Sequence, residues 1–414
     1  MKRAELRTGA QPATAAGRRG ARRAVGSVWW TVAPAEMGRS RPAAPDPGRL
    51  RRVRRGHGDW LLLGAVAMLV ALGIVMVLDV TYFYGQERHG NPMLFFWRHV
   101  AAVCAGAAAL LIAARMPIGI YRRMAVPGLA LAVAALVLVL TPLGSAHAGA
   151  RRWFLIGGIS LQPSEWVKLA VVIYLAWYLV HRQDRLEDFR RGMMPPLIVM
   201  GTVAVLLLCE PDFGTMVLLG GVFVTMAFVA GVPGRHLAAL HAAALPVAAL
   251  LAVSAEYRWM RILSFLDPWG DPRNSGFQLV QSLIAFGSGG FAGLGLGESR
   301  QKMFYLPAAH TDFIFSVIGE ELGLLGAVAV LVLFAIIGWR GARVAWRHPD
   351  PFGRMLAAGL TTLLALQAGV NMAVVLGLLP TKGLPLPFVS YGGSAMVAAL
   401  LAVGVLYGLS RDTG

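Results

Sequence analysis

Tyr305-Leu306-Pro307-Ala308-Ala309-His310-Thr311-Asp312-Phe313-Ile314-Phe315-Ser316-Val317-Ile318-Gly319-Glu320-Glu321-Leu322-Gly323 reads as the place where the chain passes from water into lipid. A polar segment ends at Pro307, and an apolar run starts at Phe313 and continues to about Trp339. That run is long enough to cross a bilayer. Asp312 stands at the border, with Glu320 and Glu321 some two turns further along the same expected helix. A carboxylate is costly to keep at such a border, which makes Asp312 a functional candidate. Capping of the helix start is the competing reading, since Asp and Thr favour first-turn positions.

The rest of the composition agrees with a membrane protein. Of 414 residues, 57% are hydrophobic and 14% charged, and the mean hydropathy is +0.62. Soluble chains carry roughly a quarter charged residues. The net charge of +17 would suit nucleic acid, but much of it lies before residue 59 and in short loops between apolar runs, where membrane topology explains it better. Cys104 and Cys209 both fall inside apolar runs, which excludes a disulfide framework or a zinc site.

Residues 1–58 are rich in Arg, Ala, Pro and Gly and lack periodicity, so a disordered, basic cytoplasmic leader is expected, with Met1 and Met37 both available as starts. Apolar runs follow at about 60–80, 94–114, 124–141, 163–181, 194–210, 213–231, 236–254, 313–337, 355–379 and 392–410. The expectation is an all-α polytopic membrane domain over 59–411. It has about ten transmembrane helices, both termini in the cytoplasm, and a large extracytoplasmic loop, 255–311, between helices 7 and 8. The loops expected inside carry Arg115, Arg122 and Arg123, then Arg182, Arg185, Arg190 and Arg191, then Arg235, then Arg340, Arg343, Arg347 and Arg354. Their alternation with neutral loops satisfies the positive-inside rule.

Two outside loops break that rule. Residues 142–162 hold Arg151 and Arg152 beside Trp153, and residues 255–311 hold Arg258, Arg261, Arg273, Arg300 and Lys302. Cations on the wrong side point to an anionic ligand, phosphate above all; interfacial snorkelling is the bland alternative. Gly276–Phe286 has the pattern of an amphipathic helix lying on the membrane, with Gln278, Gln281 and Ser282 on one face and Phe277, Val280 and Ile284 on the other. Ser164, Glu165 and Lys168 open another helix; Glu165 and Lys168, three apart, form either a structural ion pair or the rim of a polar cavity. In Leu379–Ser394 three prolines forbid a continuous helix, so irregular backbone lies near the membrane, with Lys382 and Ser390 as its polar contributors.

In this order, Arg151-Arg152-Trp153, Gln162-Pro163-Ser164-Glu165 with Lys168, Pro211-Asp212-Phe213-Gly214-Thr215, Asp267-Pro268-Trp269, Gly276-Phe277-Gln278 through Gln281-Ser282, His310-Thr311-Asp312-Phe313 with Gly319-Glu320-Glu321-Leu322-Gly323, and Pro387–Ser394 resemble the SEDS family of bacterial shape, elongation, division and sporulation proteins (FtsW/RodA/SpoVE). The resemblance covers about residues 60–411. Ala309-His310-Thr311-Asp312 and Pro380-Thr381-Lys382-Gly383 resemble the division branch more than the elongation branch. Ala308, Asp79 and Ala395 depart from the family pattern.

The resemblance implies a peptidoglycan glycosyltransferase of the bacterial cytoplasmic membrane that polymerises lipid II on the outer face, partnered by a class B penicillin-binding transpeptidase and other division-complex membrane proteins, with no nucleic acid. In that reading Asp312 is the general base, a role worth roughly 10²–10⁴-fold. Arg151, Arg152, Lys168, Lys302 and Lys382 are candidates for the lipid diphosphate. Trp153, Ser164, Glu165, Gln278, Gln281, Ser282, His310, Thr311 and Ser390 complete the expected substrate site. No resident cofactor is implied; a divalent cation could bridge the diphosphate, although no carboxylate cluster has convincing ligand spacing. A lipid flippase or transporter, an elongation-type polymerase and a non-catalytic scaffold are the competing functions.

Overall fold

The computed structural model describes residues 56, 58–147, 150–157, 159–299, 301 and 309–413. The expected basic leader up to Arg55, together with Arg300, Lys302 and Tyr305–Ala308, lies outside the described residues. Thirteen α-helices are present among those described: α1 Trp60–His89, α2 Leu94–Arg115, α3 Ile118–Leu140, α4 Pro163–His181, α5 Met194–Cys209, α6 Phe213–Val229, α7 Gly234–Val253, α8 Glu256–Leu266, α9 Phe277–Gly289, α10 Ile314–Glu321, α11 Gly323–Arg347, α12 Pro351–Val375 and α13 Gly393–Ser410. Among the described residues nine spans are long and apolar enough to cross a membrane, and α6 is a shorter apolar helix. The ten helices expected from the apolar runs are therefore present, and the chain is a multi-pass membrane protein.

Burial sorts the spans into centre and rim. The spans α4, α12 and α13 are the most buried, whereas α7 and α2 turn most of their surface outward. Outward residues such as Trp97, Leu111, Ile112, Leu245 and Leu250 are apolar, as a lipid-facing surface requires. Close approach inside the bundle depends on small residues: a Cβ on Gly404 of α13 would collide with the backbone of Leu110 on α2.

Among the described residues, the two ends of the chain meet at one end of the bundle. Gly56 N–H donates to the Arg411 carbonyl at 2.8 Å, and Asp59 N–H to Ser410 Oγ at 3.0 Å. Asp59 also caps α1 through Leu62 N–H and accepts from Arg340 Nε at 2.6 Å. Arg122 and Asp350 pair at 2.6 Å where α3 and α12 begin. Arg122 and Arg340, from two of the Arg-rich turns expected on the inside, belong to this end.

Residues 142–162 are a small antiparallel meander, β1 Ser145–His147, β2 Ala150–Ile156 and β3 Ile159–Leu161, instead of a plain loop. The register slips where Ser145 pairs with Trp153 and Ala146 with Arg151, which leaves Arg152 as the extra, unpaired residue of a β-bulge.

The expected single helix over 313–337 is two helices. Helix α10 stops at Glu321, and α11 restarts at Gly323, whose φ of +64° is the left-handed conformation glycine tolerates. The break is filled by neighbouring backbone: Leu294 N–H donates to the Glu320 carbonyl and Gly295 N–H to that of Glu321, both at 3.0 Å, while Leu324 N–H donates to the Gly290 carbonyl at 3.0 Å. The Glu320 and Glu321 carboxylates are buried and receive Ser299 and Gln301: Ser299 Oγ and Gln301 N–H reach Glu320, and Ser299 N–H reaches Glu321.

The proline-rich segment 380–390 folds back into the bundle. A Cβ on Gly73, midway along α1, would strike the Phe388 carbonyl and Val389. Irregular backbone at that depth needs protein partners, and α12 supplies them: Gln367 Nε2 donates to the Pro385 carbonyl at 2.9 Å and Asn371 Nδ2 to that of Leu384 at 2.7 Å. Leu386 N–H is satisfied by Ser390 Oγ at 2.8 Å.

Candidate active site

A cavity of about 320 Å³ opens at the end of the bundle opposite Gly56 and Arg411. Four elements build it: β2 contributes Arg152, the α5–α6 junction Pro211 to Gly214, α8 Arg258, Arg261 and Ile262, and the proline-rich segment Pro380 to Gly383. Asp312, from the turn before α10, completes the lining.

Backbone carbonyls and an aromatic ring position the charged side chains. Arg152 donates Nε to the Glu210 carbonyl at 2.6 Å and Nη2 to that of Pro211 at 2.8 Å. Arg261 Nη1 donates to the Thr381 carbonyl at 3.3 Å. Lys382 Nζ lies 5.2 Å and Arg258 Cζ 5.9 Å from the centre of the Phe213 ring, within cation–π range. Asp212 caps α6 by accepting from Thr215 N–H at 3.0 Å. Four cations thus share the cavity with two carboxylates, Asp212 and Asp312. With four cations to two carboxylates, the lining carries an excess of positive charge that favours an anion.

Asp312 does not cap a helix: the residue flanking α10 is Phe313, and no side chain bonds there. Burial pushes the Asp312 carboxyl up to about 7; Arg261 opposes that shift, Asp212 adds to it and Arg152 opposes it. Burial outweighs the cations, and the group is poised to exchange a proton near neutrality. Beside the cavity, Glu210 is buried and neither carboxyl oxygen has a partner among the described residues. Burial raises it to about 8, with Asp212 adding and Arg152 opposing. Burial also lowers the Lys382 ammonium.

Of the residues expected from sequence, Asp312, Arg152 and Lys382 come together here. Arg151 is exposed and outside the lining, as is the half-buried Trp153. Glu165 and Lys168 form a buried ion pair at 2.8 Å, and Lys168 also donates to Gln367 Oε1 at 2.8 Å; both stand apart from the cavity lining. Ser164 accepts from Gln162 Nε2 at 2.9 Å. The expected polar face of α9 is corrected: Ser282 is buried beside Leu279 and Ala285 and donates to the Val375 carbonyl at 2.7 Å, whereas Gln278 and Gln281 are half-buried and Ile284 is exposed. His310 sits in an aromatic cluster, 5.5 Å from Tyr84 and 5.8 Å from Tyr391 between ring centres. Ser390 Oγ donates to the Thr311 carbonyl at 2.5 Å. Lys302 lies outside the described residues.

Asp212, Phe213, Arg258 and Arg261 enter the lining without having been assigned to the site. Their signals were present: outside cations against the topological rule, and Arg258 and Arg261 three apart on one helix face. Among the described residues no group of three or more His, Cys, Asp or Glu side chains is arranged to hold a metal ion.

The family model described as "Cell cycle protein" (FtsW/RodA/SpoVE) matches residues 59–414. The chain belongs to that family. It is 44% identical over 351 residues to the "Probable peptidoglycan glycosyltransferase FtsW" of Geobacter metallireducens, covering 84% of this chain and 93% of that one. It is 46% identical over 353 residues to the protein of the same description from Halorhodospira halophila, covering 84% and 89%. Among solved structures, a chain from "a peptidoglycan synthase complex" described as coordinating polymerization and crosslinking matches with TM-score 0.72 at 30% identity, covering 86% of this chain and 98% of that one. The rod shape determining protein RodA of Thermus thermophilus matches with TM-score 0.62 at 28% identity, covering 86% and 97%.

Proposed function

We propose that this FtsW/RodA/SpoVE family member is a peptidoglycan glycosyltransferase that polymerises lipid II into glycan strands during septal wall synthesis. The observation that carries the chemistry is one cavity holding Asp312 together with Arg152, Arg258, Arg261 and Lys382. The names of its relatives support the reaction class. The acceptor sugar hydroxyl attacks the anomeric carbon of the donor, and the carbon–oxygen bond to the diphosphate breaks. The hydroxyl proton passes to the Asp312 carboxylate, and undecaprenyl diphosphate leaves with the bonding electron pair. The cations stabilise the charge that develops on that leaving group, usually the largest single catalytic contribution. A single displacement converts the alpha sugar–phosphate bond into a beta linkage, so no carboxylate nucleophile is needed.

The cavity faces the outside of the cytoplasmic membrane in this proposal, and both termini face the cytoplasm. The support is charge: Arg122 and Arg340 lie at the opposite end, and the arginines expected in the inside loops alternate with neutral loops along the sequence. A class B penicillin-binding transpeptidase is the proposed crosslinking partner, in keeping with the complex to which a similar solved chain belongs. The test uses the full chain reconstituted in lipid vesicles with labelled lipid II. Glycan ladders from the wild type, absent with Asp312→Asn, are expected; movement of label across vesicles without ladders would make the protein a flippase.

A further inference from the structure

The turn that carries Asp312 has no regular secondary structure of its own, yet it is held at three consecutive carbonyls. Tyr391 N–H donates to the His310 carbonyl at 2.9 Å, Ser390 Oγ to that of Thr311 at 2.5 Å, and Asn371 Nδ2 to that of Asp312 at 2.8 Å. The first two donors come from the proline-rich segment. The third comes from α12, and the same Asn371 Nδ2 also donates to the Leu384 carbonyl at 2.7 Å.

An amide NH₂ has two hydrogens, one for each of these carbonyls. The reverse orientation would set Oδ1 against two carbonyl oxygens, so both partners fix the amide's direction. Asn371 is buried, and Oδ1 has no hydrogen-bond partner among the described residues, so no acceptor function explains its polarity there. A buried amide with one unsatisfied oxygen is costly; a leucine of similar volume would avoid that cost. What leucine cannot do is tie two pieces of backbone together.

Those two pieces are the halves of the cavity that face each other. Asp312 lies on one side, and the segment from Thr381 to Leu384 begins the other, where a Cβ on Gly383 would stand 3.1 Å from Asp312 Oδ2. We propose that Asn371 is a positioning residue for the proposed glycosyl transfer, holding the Asp312 main chain and the Leu384 main chain at one separation so that the carboxyl points into the cavity. The role rests on the polymerase reading, because it supposes that the aim of Asp312 limits the rate. A misplacement of about 1 Å can cost roughly 10²-fold in rate.

The experiment compares wild type, Asn371→Leu and Asn371→Asp as full chains in nanodiscs, with two readouts. The first is polymerisation of labelled lipid II, resolved into kcat and KM. The second is carbodiimide labelling of Asp312 at mildly acid pH, read by peptide mass spectrometry, which needs no turnover. Both variants are expected to lose roughly 10²-fold in kcat with KM unchanged, and to label Asp312 several-fold faster as the carboxyl escapes its fixed place. A wild-type kcat with wild-type labelling in Asn371→Leu overturns the inference and leaves the polymerase reading intact. Altered labelling in a protein whose wild type makes no glycan does the reverse. Should both variants fail to fold, Ser390→Ala removes the adjacent donor and is expected to show the same signature more weakly; unchanged kcat and labelling there also overturns the proposal.

Discussion

Gly383 faces the Asp312 carboxyl so closely that a Cβ there would lie 3.1 Å from Oδ2 and 3.9 Å from Cγ, a tight contact. The glycine therefore sets the wall against which the proposed base rests. Gly383→Ala forces the carboxyl to yield by a few tenths of an ångström. Because about 1 Å of misplacement can cost roughly 10²-fold, that smaller shift is expected to lower kcat about tenfold. Melting temperature should stay unchanged, and a steady-state lipid II assay with a thermal scan checks both.

The proton exchange of Asp312 gives a pH profile with a defined sign. A general base acts deprotonated, so polymerisation should rise with pH through about 7, where burial places this carboxyl against the opposing field of Arg261. Arg261→Gln removes an influence that lowers it and should move the acid limb to higher pH; Asp212→Asn removes one that raises it and should move the limb to lower pH. Stability carries the opposite signature. Between the unfolded carboxyl's ordinary range, about 4, and its folded value of about 7, the folded state keeps a proton that the unfolded state has released. Stability is therefore lost as pH rises across that window, with the full cost present above it. Asp312→Asn should abolish polymerisation yet raise the melting temperature, more at alkaline pH than at acid pH.

Arg152 and Arg151 are neighbours in sequence with different expectations. Arg152 lines the cavity while its guanidinium rests on two carbonyls; Arg151 is exposed and outside the lining. Hydrogen bonds to charged groups are worth about 1.5–3 kcal/mol, so Arg152→Ala and Lys382→Ala should each weaken engagement of lipid II by roughly tenfold or more. Arg151→Ala should leave both kinetic constants in place. Equal losses at 151 and 152 would mean that overall charge, and not the cavity, draws the substrate.

How far these features could be read from sequence depended on range. The ten apolar helices were legible because each is a local run of sufficient length, and Asp312 because a carboxylate bordering such a run is costly. The break at Gly323 was not, since its cause is tertiary: the 290–295 backbone pairs with both sides of it. Ser282 misled for a related reason. On α9 its hydroxyl serves a carbonyl of α12, so polarity marked a helix–helix bond and not a wet face. Arg258 and Arg261 were visible as misplaced cations, but their meeting with Arg152 joins residues about a hundred positions apart, which no local pattern encodes.

The Glu165–Lys168 pair separates structure from catalysis. Glu165 would be the next candidate for the base if Asp312 were dispensable, yet its carboxylate is bonded to Lys168 at 2.8 Å inside the bundle. Lys168 passes the connection to Gln367, which supports the Pro385 carbonyl. The pair thus stabilises the segment that ends at the cavity wall without lining it. Removing one partner from a buried pair strands the other charge and typically costs about 3–5 kcal/mol. Glu165→Gln and Lys168→Met are each expected to lower the melting temperature strongly, with activity falling in step with the folded fraction. The double variant strands no charge and should recover much of the stability. A Glu165→Gln protein that keeps its wild-type melting temperature but makes no glycan would instead place Glu165 in the chemistry.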